Sequence, residues 1–141
     1  MEWNARCDPH AAALVYRASP AQHRSIGLDV TMQVTMSAER VRERFLSIPL
    51  LHPVLDFAEI WFQKRSQIVF HDPLAAVSIF DDQVCQWTQG EVGVSLQDDT
   101  VLGQTRWRAV TSAPSHEIAS TVNPARFFDR YFSVFGGGGA Q

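Results

Sequence analysis

Three Asx–Pro pairs punctuate this chain, at Asp8-Pro9, Asp72-Pro73 and Asn123-Pro124, and each predicts a helix start. The Asp or Asn oxygen accepts a free N–H of the first turn, and proline lacks only a donor that would go unpaired there. The first pair predicts a helix over Asp8–Ala18, stopped by Ser19-Pro20. His23–Val30 reads as a strand running into a loop. Ser37 predicts a second capped helix, with Val41 and Phe45 on its apolar side and Glu39, Arg40, Arg42, Glu43 and Arg44 in water. Pro53 opens a third, whose Val54, Phe57, Ala58 and Trp61 recur at helical spacing opposite Asp56, Glu59, Gln63 and Lys64. On that pattern the aromatics Phe57, Trp61 and Phe62 belong to the core. Ile68-Val69-Phe70 leads into a fourth helix, capped by Asp72 and ending near Phe80.

The periodicity then drops to two. Val84–Leu96 and Gln104–Ser112 predict a hairpin with Asp98-Asp99 at its turn, and Ile118–Val122 a third strand. The closing helix from Asn123 carries Phe128, Tyr131, Phe132 and Phe135 on one face. Residues from Gly136 to the end form a glycine-rich segment, predicted to be a flexible tail.

With 141 residues the chain suffices for one domain, and nine Phe, four Trp and two Tyr supply a core. Twelve Lys and Arg against fifteen Asp and Glu give a net charge of −3 with no basic tract. That excludes the positive stripe a nucleic-acid binder uses to neutralise phosphates. The apolar stretch Phe45–Phe62 is broken by Pro49, His52, Pro53, Asp56 and Glu59, so no membrane span is predicted. The first residues lack a secretory pattern, and Cys7 and Cys85 read as buried or half-buried thiols of a reducing compartment. A soluble cytoplasmic chain is the expectation.

Candidate chemistry sits in two places. Asp72 before Pro73 reads first as a helix cap and second as a carboxylate facing a cation or sugar hydroxyl, and its neighbour His71 is a residue type that titrates near neutrality and can donate a proton. Glu2 and Asn4 flank Trp3; on an extended segment they share one side, an acid and an amide suited to a polyhydroxylated ligand. The same residues also read as a frayed terminus. Asp8 and Asp29 read as cap or turn residues, Asp81-Asp82 as a solvated turn, and His10, His23, His52 and His116 as surface or packing histidines. No P-loop, GxGxxG or nucleophile elbow is present.

Four segments, in order, resemble the second half of the inosine/uridine-preferring nucleoside hydrolases. Glu2-Trp3-Asn4, followed by Cys7-Asp8-Pro9-His10-Ala11-Ala12, is similar to that family's E-F-N segment and "DPEAA" helix start, with Trp3 in place of Phe. Gly27-Leu28-Asp29-Val30-Thr31 resembles its "GLDVT" strand end, and His71-Asp72-Pro73-Leu74-Ala75 its "HDPLA" segment. Val122-Asn123-Pro124-Ala125-Arg126-Phe127-Phe128 is similar to the "VDxxRFF" start of its closing helix.

The resemblance implies an α/β fold: the C-terminal part of a Rossmann-like, mainly parallel sheet flanked by helices, with a β-hairpin near the C-terminal side. Residues 1–135 would be a partial domain and 136–141 its tail. It implies cleavage of the N-glycosidic bond of ribonucleosides, with Ca²⁺ as cofactor. Asp72 would be a calcium ligand, His71 the acid assisting departure of the base, and Glu2 and Asn4 the partners of ribose hydroxyls. The family's aspartate-rich DTDxGxDD stretch, which supplies most calcium ligands and the base that activates water, has no counterpart in these residues. The chain alone is therefore expected to be inactive, and to need the missing half or a second copy as partner. A non-catalytic remnant or partner-binding module is the alternative.

Overall fold

The computed structural model describes residues 1–18, 23–110 and 116–136. The predicted stop at Ser19-Pro20, the last two residues of the second hairpin strand and most of the glycine tail lie outside them. In chain order the main elements begin with helices α1 (Trp3–Cys7) and α2 (Pro9–Arg17), strand β1 (His23–Ser25) and the short helix α3 (Leu28–Thr31). Strand β2 (Thr35–Ser37), helices α4 (Ala38–Leu46) and α5 (His52–Phe62), strand β3 (Gln67–Val69) and helix α6 (His71–Phe80) follow. Strands β4 (Cys85–Val94), β5 (Thr105–Ala109) and β6 (His116–Val122) precede the closing helix α7 (Pro124–Gly136).

These elements gather into two compact units, each discontinuous in sequence: Met1–Val30 with Cys85–Thr121, and Thr31–Val84 with Val122–Gln141. The first is built on a four-stranded sheet of order β1-β6-β4-β5. β1 and β6 run parallel, with His23 opposite His116, whereas β4 and β5 form the predicted antiparallel hairpin, with Val92 opposite Trp107. The α/β class stands, and the sheet within this chain is mixed. Asp98 does turn the hairpin connection, accepting the Thr100 N–H at 2.9 Å. Gly103 closes it at φ +79°, where a Cβ would sit 2.5 Å from the Ala5 carbonyl of α1; only glycine meets both demands.

Local signals set most helix starts as predicted. Asp8 Oδ1 accepts the Ala11 N–H at 2.8 Å, Ser37 Oγ that of Arg40 at 3.3 Å, and Asn123 Oδ1 that of Arg126 at 3.1 Å. The segment His23–Val30 departs from expectation: only His23–Ser25 is strand, and Leu28–Thr31 is a helical turn. Its N–H groups are taken by turn partners rather than a ladder, that of Leu28 by the Glu2 carboxylate and that of Val30 by the Gly27 carbonyl.

The second unit pairs β2 antiparallel with β3, and its core gathers Val34, Met36, Val41, Phe45, Leu74 and Phe127. Here α5 corrects the sequence reading. It buries Leu55 and Ala58, while Phe57 is 76% and Trp61 52% exposed. Glu59, on the side predicted to face water, accepts both Nε and Nη2 of Arg42 on α4, at 2.6 and 2.7 Å. Two further expectations change: Cys7 is exposed, and Asp81 accepts Arg126 Nε at 2.7 Å instead of lying in a free turn. That guanidinium holds the Asp81 carboxyl below its ordinary range.

Large apolar side chains left in water at Leu50, Phe57, Ile79 and Phe80 make this unit a poor candidate for a solitary monomer. A hydrophobic dye is expected to fluoresce on the folded 141-residue chain, and gel filtration to show self-association. A monodisperse monomer that ignores the dye would refute this.

His116 is a packing histidine, as predicted, but a costly one. It is 5% exposed, and neither ring nitrogen finds a hydrogen-bond partner among the described residues. Its ring lies edge-on to His23 at 4.2 Å and to Tyr16 at 5.1 Å between centroids. Burial, with the His23 charge adding to it, lowers its pKa to about 4. An unfolded chain therefore takes up this proton as pH falls through about 6.5 while the folded one does not, so stability drops with falling pH from there to about 4. The loss is at most about 3 kcal/mol, less where water screens the ring. Urea midpoints measured from pH 7 to 4.5 are expected to fall, and to fall less in His116→Phe; equal slopes would contradict the assignment.

Candidate functional site

His71 and Asp72 open α6, and the way they do so differs from expectation. The helix starts two residues early: Phe70 is its N-cap, makes no side-chain cap bond, and puts Asp72 in the first turn. Tertiary pairing decides this. Phe70 is 3% exposed and its N–H is bound to the Val34 carbonyl at 2.9 Å, while its own carbonyl accepts Leu74 N–H at 3.2 Å. Pro73, in the first turn, still loses no helical hydrogen bond. Asp72 is thus no cap. Its carboxylate is exposed and hydrogen-bonded to no described residue, at a helix end whose dipole favours negative charge.

His71 is half-buried and held. Its Nδ1 lies 2.7 Å from Thr31 Oγ1, while Nε2 has no hydrogen-bond partner among the described residues. Thr31 is 5% exposed and closes α3. Two segments 40 residues apart thereby meet at one histidine. Residue-type reasoning left Thr31 without a role; its place in the Gly27–Thr31 segment was the only signal for it.

Glu2 and Asn4 belong to the other unit. The extended geometry inferred for them does not hold, because Trp3–Cys7 is helical and Glu2 is its N-cap residue. Strand alternation therefore does not relate Glu2 to Asn4, which lies inside the helix. Both Glu2 oxygens stand 3.1 Å from the Leu28 N–H, and Asn4 is exposed. A Cβ at Gly27 would meet Asp29 Oδ1 at 2.5 Å and Glu2 Oε1 at 3.3 Å, so the two carboxylates flank one glycine. Glu2 is therefore anchored to the Gly27–Thr31 segment.

Calcium takes six to eight oxygens. Among the described residues no three His, Cys, Asp or Glu side chains are grouped to hold a metal ion. Asp72 can contribute at most its two carboxylate oxygens, so these residues do not by themselves make a calcium site. No helix among the described residues is long and apolar enough to cross a membrane.

In this mixed α/β chain, then, a histidine hydrogen-bonded to Thr31 adjoins an exposed carboxylate in the first turn of α6. The chain belongs to the inosine-uridine preferring nucleoside hydrolase family, whose model matches residues 1–129. No curated protein matches it. In fold it is similar to a plant nucleoside hydrolase, with TM-score 0.74 and 18% identity over 95% of this chain and 47% of that one. It is also similar to a purine-preferring ribonucleoside hydrolase from Gardnerella vaginalis, with TM-score 0.79 and 22% identity over 95% and 45%. An inosine-guanosine nucleoside hydrolase gives TM-score 0.80 and 15% identity over 96% and 46%. The chain spans a little under half the length of these solved structures.

Proposed function

We propose that this chain supplies one half of a nucleoside N-ribohydrolase site, which splits the bond between ribose and base in purine or pyrimidine ribonucleosides. The observation that carries the reading is the first turn of α6, where an anchored His71 with an unpartnered Nε2 adjoins an Asp72 free of capping duty. Membership of the family supports the same chemistry.

In this reading His71 delivers a proton from Nε2 to the departing base, so that the base leaves with the bonding electrons as a neutral molecule. Glu2 and Asn4 bind ribose hydroxyls and favour the oxocarbenium-like transition state over the ground state. Glu2 enters that role already fixed by the Leu28 N–H, which orders its carboxylate in advance. Asp72 is one calcium ligand of a site whose other ligands, together with the base that activates water, come from an aspartate-rich segment outside these 141 residues. That segment is supplied by the preceding half of a longer protein or by a separate chain. The setting is the cytoplasm, with no nucleic acid or membrane partner.

Ribose release from inosine and uridine tests the reading, measured on this chain alone and on this chain joined to a segment bearing DTDxGxDD. Silence in both, with the joined protein folded, would favour the non-catalytic module.

A further inference from the structure

Histidine carries two distinct ring nitrogens, and the partner of one decides which proton the other can exchange. In His71 the choice is made from a distance in sequence: Nδ1 lies 2.7 Å from Thr31 Oγ1. Thr31 is a rigid anchor. It is 5% exposed, it ends a hydrogen-bonded turn, and its carbonyl accepts the Val34 N–H at 3.0 Å. Val34 in turn accepts the Phe70 N–H at 2.9 Å, one residue before His71. The hydroxyl and the imidazole are thus carried on backbone segments that are themselves tied together.

A threonine in a helical turn can pass its hydroxyl proton to a carbonyl of the preceding turn, leaving its lone pairs for an incoming N–H. We propose that Thr31 is a positioning residue for His71: its oxygen accepts Nδ1–H, fixes the plane of the ring, and leaves Nε2 as the nitrogen that takes up the second proton, so that the imidazolium passes that proton to the leaving base and keeps the one held by Thr31. This rests on the reading of His71 as the acid that assists the base's departure. Neutral imidazole in water prefers the opposite tautomer, with the proton on Nε2, so the arrangement has a spectroscopic signature that packing alone would not produce.

The test is nitrogen-15 NMR of the histidine rings in the intact 141-residue chain, at a pH where His71 is neutral. His71 is expected to show a protonated Nδ1 and a bare Nε2. Thr31→Val removes the acceptor at nearly constant volume and is expected to move the population toward Nε2–H. Thr31→Ser keeps the hydroxyl and is expected to retain the wild-type pattern. Unchanged ring signals of Phe45 and Phe127, buried in the same unit as Thr31 and His71, report in each variant that the fold is intact. Wild-type His71 protonated on Nε2, or a Thr31→Val variant with the wild-type pattern, overturns the proposal, and the first needs no variant to fold. Either result leaves the hydrolase reading standing. Conversely, a joined protein that releases no ribose while His71 keeps its Nδ1–H would sink the hydrolase reading and leave the role of Thr31 intact.

Discussion

Given inosine or uridine and added calcium, the pure 141-residue chain is expected to release no ribose. The chemistry needs three things at once: a proton for the base, stabilisation of the positive sugar ring, and an activated water. In the proposed reading His71 addresses the first, and a positioned general acid is worth about 10²–10⁴-fold. Enzymes of ordinary power reach roughly 10⁶-fold or more over the uncatalysed reaction, so the acid alone leaves the rate far short. The described residues hold no three-group cluster for a metal, and the sequence contains no aspartate-rich stretch to supply the water-activating base. Joined to such a segment, the chain is expected to release ribose in a calcium-dependent way. There His71→Ala should cost about 10²–10⁴-fold and Asp72→Ala about 10²–10³-fold. Calcium-dependent ribose release by the 141 residues alone would overturn this account, and so would a joined enzyme indifferent to both substitutions.

Phe127→Ala is expected to unfold much of the unit that carries His71. Phe127 is fully buried, with ring centroids 5.7 Å from Phe70, 5.0 Å from Phe128 and 5.6 Å from Tyr131. Truncating a buried Phe costs about 3–5 kcal/mol, because apolar transfer energy is lost and a cavity remains that the neighbours only partly fill. Against a typical total of about 5–15 kcal/mol, that removes a large share of the stability. The urea midpoint should fall accordingly, whereas Val134→Ala on the same helix, where the side chain is 63% exposed, should stay within about 0.5 kcal/mol of wild type. Equal midpoints for the two variants would show that α7 does not anchor this core. Phe70, which packs on Phe127, immediately precedes His71, so this substitution is also expected to loosen the candidate site.

Much of the architecture was legible because its causes are local. Asp8, Ser37 and Asn123 cap the helices their spacing predicts, since a cap needs only a side-chain oxygen and an N–H three residues on. The β4–β5 hairpin follows from alternation around an Asp-rich turn. The segments that carry the family were readable in order, and with them His71, Asp72, Glu2 and Asn4 as candidates. Where the reading changed, the cause was a partner distant in sequence. Asp72 is no cap because Phe70 is pinned by Val34. The α5 aromatics face outward because Leu55 and Ala58 are the side chains that the rest of the fold buries. Glu2 is fixed by the Leu28 N–H, 26 positions on.

By itself, then, the sequence determined the α/β class and the family, from motifs in order along the chain, and most element starts, which rest on neighbours within a few residues. Only the tertiary structure decided which α5 face meets the core, that Thr31 holds His71, and that Asp72 is left with a free carboxylate. The last two depend on contacts between residues 36 and 40 positions apart, and local periodicity cannot encode a contact whose partner lies on another element.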